Sequence, residues 1–312
     1  MKFYKPKFWD KRGNISLFSV LLLPLSLFVI FKNYHENSKI KKNFYDIKTI
    51  CVGNIYIGGT GKTPLVKNLA NYFKKKFRTY IVKKNYSSHL DEKKLLESKH
   101  KVIFEKTREL SIAKAESERA EMLIFDDGLQ EKMINYDLKI VCFNSLKLDG
   151  NGLIIPAGPL REKLSSIKNY DVALINGDLI KESKNFINKI KRINPNIKIF
   201  TGKYVPKDYS KLKKKKYIIF SGIGNPHTFS DTLKNLKIKF NAYEKFPDHY
   251  DYKESDLQRL KSLAKKKNCE LLTTEKDYLR IKKSFRKNIN FLKVELSVDK
   301  EKQFYKYLNE RL

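Results

Sequence analysis

Residues 47–77 read IKTICVGNIYIGGTGKTPLVKNLANYFKKKF, and the fold can be argued from this stretch outward. An apolar, β-like run over 47–52 leads into a glycine loop, Gly58-Gly59-Thr60-Gly61-Lys62-Thr63. Beyond it, Leu65, Val66, Leu69, Tyr72 and Phe73 recur at helical spacing, which predicts a helix over 63–77. Strand, glycine loop and helix in that order make a phosphate cradle. Glycines let the backbone curl so that its N–H groups point inward, and the helix N-terminus adds its positive dipole end. Lys62 is placed to reach the β- and γ-phosphates of a nucleotide, and Thr63 to ligate Mg²⁺. The strict spacing would put a glycine at position 56, where this chain has Tyr56. The loop is therefore a variant, its glycines crowded towards the lysine.

A metal at such a loop needs an acidic partner. Residues 122–127 read Met-Leu-Ile-Phe-Asp-Asp, followed by Gly128-Leu129-Gln130. This is an apolar strand ending in two carboxylates, Asp126 and Asp127, as a Mg²⁺ site requires. Alone, Asp-Asp-Gly reads equally well as a turn; beside the phosphate loop it reads as the metal site. Further short apolar runs at 79–82, 101–104, 139–143 and 172–175 alternate with polar segments, the rhythm of a parallel sheet covered by helices. After the lysine run 213–216 a second block repeats it, with strands expected at 217–221, 237–244 and 270–273 and helices at 226–236 and 254–267.

The chain has 312 residues, enough for about two domains. At 41% hydrophobic and 12% aromatic it is not a disordered chain. Its formal net charge is +32, and only 10 of its 66 basic residues are arginine. The lysine excess has two readings: a compositional bias, or attraction to an anionic surface. Nucleic acid is supported by charge alone and leaves the acidic motif unexplained, so none is expected among the partners. Cys51, Cys142 and Cys269 lie far apart with no ligand spacing, which argues against zinc or a disulfide framework.

Residues 15–31 read ISLFSVLLLPLSLFVIF, seventeen residues without a charge. As a helix they would span roughly 25 Å, slightly less than a bilayer core. Pro24 should kink that helix, Lys11, Arg12 and Lys32 flank it, and Phe8, Trp9 and Tyr34 would suit an interfacial belt. No A-x-A-like cleavage site follows. A membrane anchor, spanning or interfacial, is expected, with the body of the protein on the cytoplasmic side where ATP is available.

Several motifs, in order, resemble those of the tetraacyldisaccharide 4′-kinases of lipid A biosynthesis. They are Leu23-Pro24-Leu25-Ser26 with Trp9, Val52-Gly53-Asn54, Gly58-Gly59-Thr60-Gly61-Lys62-Thr63-Pro64, Phe125-Asp126-Asp127-Gly128-Leu129-Gln130, and Gly150-Asn151-Gly152. Then come Pro156-Ala157-Gly158-Pro159-Leu160-Arg161-Glu162, Ser221-Gly222-Ile223-Gly224-Asn225-Pro226, Phe246-Pro247-Asp248-His249 and Thr274-Glu275-Lys276-Asp277. The resemblance covers nearly the whole chain.

It implies an ATP-dependent kinase acting on the 4′-hydroxyl of tetraacyldisaccharide 1-phosphate, a glycolipid, at the cytoplasmic face of the bacterial inner membrane. It implies an α/β fold: a P-loop parallel-sheet domain, a second, smaller α/β domain and an N-terminal membrane-associated helix. The expected division is an anchoring segment over 1–32, an ATP-binding domain over 33–200, a hinge over 201–216 and a C-terminal domain over 217–312. Gly58, Gly59, Thr60, Gly61, Lys62 and Thr63 would bind the ATP phosphates. Thr63, Asp126 and Asp127, with Glu92, would hold Mg²⁺. Asp91 would be the base, tuned by His249, and Arg161 and Asn151 would contact substrate. The chain departs from the family pattern in three places. Leu90-Asp91-Glu92 stands for Gly-Asp-Glu, Lys83-Lys84-Asn85-Tyr86-Ser87 for Ser-Arg-Gly-Tyr-Gly, and Glu131 for a histidine. A membrane-associated P-loop ATPase acting as a switch is the alternative; it would hydrolyse ATP without a glycolipid acceptor.

Overall fold

The computed structural model describes residues 6–13, 15–38, 45–84, 96, 100–223, 226–247 and 250–312, and of 32–38 the backbone only. Asp91, Glu92 and His249 lie outside the described residues. Two compact units are present. The first takes in residues up to Asn85, His100–Tyr204 and Leu296–Leu312; the second takes in Tyr86–Lys99 and Val205–Glu295.

In the first unit, helix α1 (Leu17–Ser38) precedes strand β1 (Lys48–Gly53), α2 (Lys62–Phe73), β2 (Thr79–Lys84) and β3 (Val102–Glu105). Then follow α3 (Arg108–Ser117), β4 (Met122–Asp126), β5 (Leu138–Asn144), β6 (Val172–Asn176), α4 (Lys181–Ile193) and β7 (Lys198–Lys207). The strand order is β3-β2-β4-β1-β5-β6-β7, and the neighbouring pairs are parallel. β1 therefore sits where the order reverses, the position at which open α/β sheets bind ligands beyond the strand C-termini. β1, β2, β4, β5 and β6 are short apolar runs buried on both faces, as inner parallel strands require, whereas β3 and β7 are only partly buried. α2 turns Leu65, Val66, Leu69, Ala70 and Phe73 onto the sheet. Pro64 is tolerated because it lies in the first turn, where no intrahelical N–H bond is lost.

The second unit holds β8 (Lys216–Ser221), α5 (Pro226–Asn235), β9 (Lys239–Lys245), α6 (Glu254–Lys266), β10 (Glu270–Thr274) and α7 (Glu275–Arg280). β11 (Ile289–Val298) completes a parallel set in the order β11-β10-β8-β9. Ile218, Phe220, Leu257, Leu260 and Leu271 form one core cluster, and Tyr217, Ile219, Leu233 and Leu272 another.

The division differs from the expected boundaries. The chain leaves the first unit within β7, between Tyr204 and Val205, where a hinge over 201–216 was expected. It returns within β11, so the last helix, α8 (Glu301–Arg311), belongs to the first unit and not to a domain running to residue 312. The cause is burial. Phe304 and Leu308 are fully buried, Phe304 meets Phe200 edge-on at 5.0 Å, and Tyr305 stacks on Tyr72 of α2 at 3.8 Å.

No helix among the described residues is long and apolar enough to cross a membrane. α1 has Pro24 inside it, and its Val29 and Ile30 pack against the core of the first unit. Ser19 and Ser26 are buried, whereas Leu17, Phe18, Leu21, Phe28 and Phe31 are exposed.

Candidate active site

The loop between β1 and α2 is shaped by its own polar groups. Asn54 is fully buried, and its Nδ2 donates to the carbonyls of Tyr56 (2.6 Å) and Gly58 (3.1 Å). Gln130 Nε2 donates to the Asn54 carbonyl at 3.0 Å. Gly58 and Gly61 have φ of 120° and 96°, left-handed conformations that favour glycine. At Gly61 a side chain would also run into the amide of Asn176, which rises from the end of β6 beneath the loop. Gly61 caps α2 without a side-chain bond, so the first-turn N–H groups stay available to an anion.

Two carboxylates face this loop. Thr63 Oγ1 donates to Asp126 Oδ2 at 2.9 Å, and the parallel register sets Val52 beside Asp126. Lys62 Nζ lies 3.7 Å from Asp127 Oδ1. Burial pulls the Lys62 ammonium pKa below its ordinary value, with Asp127 and then Asp126 pulling it back up. A lysine stripped of water and facing carboxylates is well placed to gain a phosphate partner. Asp127 adopts a left-handed φ of 65°. Its N–H bonds Val52 O at 2.8 Å and its carbonyl accepts Arg108 Nη2 at 2.5 Å, and these two bonds hold the sparsely populated conformation.

Arg161 arrives by backbone pairing. Tyr56 and Leu160 form an antiparallel bridge, Ile57 N bonds Pro159 O at 2.9 Å, and Arg161 N bonds Ile55 O at 2.7 Å. The Pro-Ala-Gly-Pro-Leu-Arg segment is thereby zipped to the front half of the phosphate loop. Arg161 Nη1 donates to Asp127 Oδ1 (2.8 Å) and Gln130 Oε1 (3.1 Å). Asn151 is used differently. Its Nδ2 donates to Ser19 Oγ at 3.2 Å and Ala157 O at 3.0 Å, and its N–H bonds Trp9 O at 2.9 Å. These contacts tie the loop over 150–160 to the N-terminal segment.

The site suits a hard cation. Asp126 Oδ1 is buried with no hydrogen-bond partner, and Thr63 and the two carboxylates offer only oxygen. Among the described residues, no group of three or more acidic, His or Cys side chains is placed to hold a metal ion. The Thr60 hydroxyl and the Asn54 and Asn176 side-chain oxygens are likewise buried and unpartnered.

The structure thus brings together Gly58, Gly59, Thr60, Gly61, Lys62, Thr63, Asp126, Asp127 and Arg161. Sequence reasoning missed Lys83, Arg108 and Asn176. A usable signal for Arg108 was its rarity: in a chain whose basic residues are mostly lysine, an arginine marks a place where a planar fork is needed. In the second unit, Asp277 is fully buried; it accepts bonds from Gly222 N, Tyr252 OH and Arg280, and burial raises its pKa. It joins the Ser221-Gly222 and Thr274–Asp277 motifs into one cluster.

A strand–glycine-loop–helix at the switch point of a parallel sheet, with paired carboxylates on the next strand, defines a P-loop phosphate-binding α/β protein. The sequence profile of one such family, tetraacyldisaccharide-1-P 4′-kinase, matches residues 18–312. The chain belongs to this family. It is 46% identical over 97% of its length to the tetraacyldisaccharide 4′-kinase of Pelagibacter ubique (strain HTCC1062), covering 96% of that protein. It is 37% identical to the enzyme of the same name from Rickettsia akari (strain Hartford), over 100% of this chain and 97% of that one. Among solved structures, it resembles the "apo" form LpxK from Aquifex aeolicus in complex with ATP, with a TM-score of 0.70 and 25% identity. That match covers 95% of this chain and 99% of the other.

Proposed function

We propose that the chain transfers the γ-phosphoryl group of ATP to the 4′-hydroxyl of tetraacyldisaccharide 1-phosphate, giving the bisphosphorylated lipid A precursor. The observation that carries this reading is the meeting of Lys62 and Thr63, from the loop, with Asp126 and Asp127, from the adjacent strand. Relatives matched along their whole length bear this activity's name.

Phosphoryl transfer requires mainly positioning and charge neutralisation. The loop N–H groups and Lys62 hold the β- and γ-phosphates. Arg161, whose guanidinium shares Asp127 Oδ1 with Lys62, is the second cation for a phosphate oxygen. Thr63, Asp126 and Asp127 would hold Mg²⁺, with Glu92 as a further candidate; the ion would neutralise charge on the phosphate oxygens. Asp91 accepts the proton of the sugar hydroxyl and His249 tunes its basicity, roles assigned from motif position.

The N-terminal helix supplies the membrane contact. Outward Leu17, Phe18, Leu21, Phe28 and Phe31 suit a lipid surface, while Ser26 Oγ is held inward by Ile154 O (2.9 Å) and Ala157 N (3.1 Å). A peripheral seat on the cytoplasmic face of the inner membrane would bring an acylated substrate and ATP to one site. The test is transfer from γ-labelled ATP to tetraacyldisaccharide 1-phosphate in detergent micelles, with and without Mg²⁺, beside Lys62→Ala and Asp91→Ala. Magnesium-dependent labelling lost in both variants is expected. ATP hydrolysis without lipid labelling would replace the kinase by an ATPase switch.

A further inference from the structure

At the end of β2, Lys83 stands beside Asp126 in the parallel register of β2 with β4. It is 8% exposed, and its Nζ lies 2.8 Å from Asp126 Oδ2, the oxygen that also accepts the Thr63 hydroxyl at 2.9 Å. The other carboxylate oxygen, Oδ1, is left buried and unpartnered. A carboxylate this deeply buried needs a compensating cation, and here the fold supplies one. Asp127 is served separately, by Arg161 at 2.8 Å and Lys62 at 3.7 Å. Among the described residues, three cations thus face these two carboxylates.

We propose that Lys83 is a built-in counter-cation of the metal site, holding Asp126 in place and making nucleotide binding less dependent on a divalent ion. It is a positioning residue: it acts through Asp126, taking one oxygen and leaving the other for the metal or its water. Its positive charge opposes a divalent cation at that carboxylate and favours the polyphosphate. Lys83 and a divalent cation supply the same positive charge at Asp126, so the metal adds less to nucleotide binding, and the nucleotide less to metal binding, than without Lys83. The inference rests on the loop being a nucleotide-phosphate site.

The test uses the full-length protein in detergent. Mn²⁺ binding is read by electron paramagnetic resonance, and the affinity of a fluorescent non-hydrolysable ATP analogue is measured with Mn²⁺ and with chelator. Lys83→Ser should tighten Mn²⁺ binding roughly tenfold and weaken metal-free analogue binding by a similar factor. The stimulation of analogue binding by Mn²⁺ should grow accordingly. Lys83→Arg, which keeps the charge, should restore the behaviour of the natural chain. Lys83→Met fills the same volume and serves if the serine variant unfolds early in a thermal melt. Unchanged metal–nucleotide coupling in the neutral variants, or weaker Mn²⁺ binding, overturns the proposal. If the natural chain binds neither Mn²⁺ nor the analogue, the nucleotide-site reading itself falls, and the role of Lys83 falls with it.

Discussion

Thr63 Oγ1 and Asp126 Oδ2 are joined at 2.9 Å, linking the first turn of α2 to the end of the neighbouring strand β4. The bond orients both proposed Mg²⁺ ligands before any ion is present. Thr63→Ala removes a ligand and an orienting hydrogen bond, and should lower kcat/KM by about 10- to 100-fold. Thr63→Ser keeps the hydroxyl and should stay within a few-fold. Steady-state kinetics across a Mg²⁺ titration decide the matter, since the alanine variant should also need more metal for half-maximal rate.

Arg161 reaches Asp127 and Gln130 through one guanidinium nitrogen, while its backbone is paired with Ile55. The backbone pairing survives substitution, so Arg161→Lys should fold normally. A lysine keeps the charge but loses the guanidinium's other N–H donors, which Nη1's two bonds leave available for a phosphate oxygen. Activity should fall at least about tenfold, an effect of the size seen when groups that orient a metal ligand are lost. A thermal melt within a degree or two of the natural chain, measured beside the kinetics, separates this from misfolding.

The two faces of α1 should respond in opposite ways. Leu21 and Phe28 are 66% and 69% exposed, so replacing both by serine should abolish sedimentation with anionic phospholipid vesicles and leave the melting temperature unchanged. Ser26→Ala strips the Ala157 N–H of its acceptor and should cost about 1–3 kcal/mol. Chemical denaturation of the two proteins gives that difference directly, and equal stabilities would show that the helix is not held through Ser26.

The cysteines differ in reactivity. Burial pushes the thiols of Cys51 and Cys142 up to about 12, so both stay protonated and enclosed at pH 8. Cys269 is part-exposed. Iodoacetamide at pH 8 should therefore label Cys269 first, with Cys51 and Cys142 modified only on unfolding. Because the thiolate is the nucleophile, labelling of the buried pair should stay slow up to about pH 11. Peptide mass spectrometry of the alkylated protein reads the order.

Much of the first unit is legible one strand at a time. The runs at 122–125, 139–143 and 172–175 match β4, β5 and β6 to within a residue at either end. Parallel strands buried on both faces are short, uniformly apolar and bounded by polar segments, so local composition carries them. α4 was legible too, although a strand-by-strand reading passes over it: Phe186, Ile187, Ile190 and Ile193 recur at helical spacing, and Ser183, Phe186 and Ile190 are buried. The last helix reads as part of the second block because it follows that block in sequence. Only the burial of Phe304 and Leu308 returns it to the first unit.

The chemistry divides in the same way. The sequence by itself determined the phosphate loop, the paired carboxylates and the family, because these reside in contiguous residues whose backbone needs and side-chain types are local. Lys83 on Asp126, Arg108 on the Asp127 carbonyl and Asn176 beneath Gly61 were decided only by the tertiary structure. Each of these contacts joins strand or helix ends that lie far apart in the chain. They become neighbours only when the order β2-β4-β1-β5-β6 brings the strands' C-terminal ends to one edge of the sheet, with the N-terminus of α3 beside them.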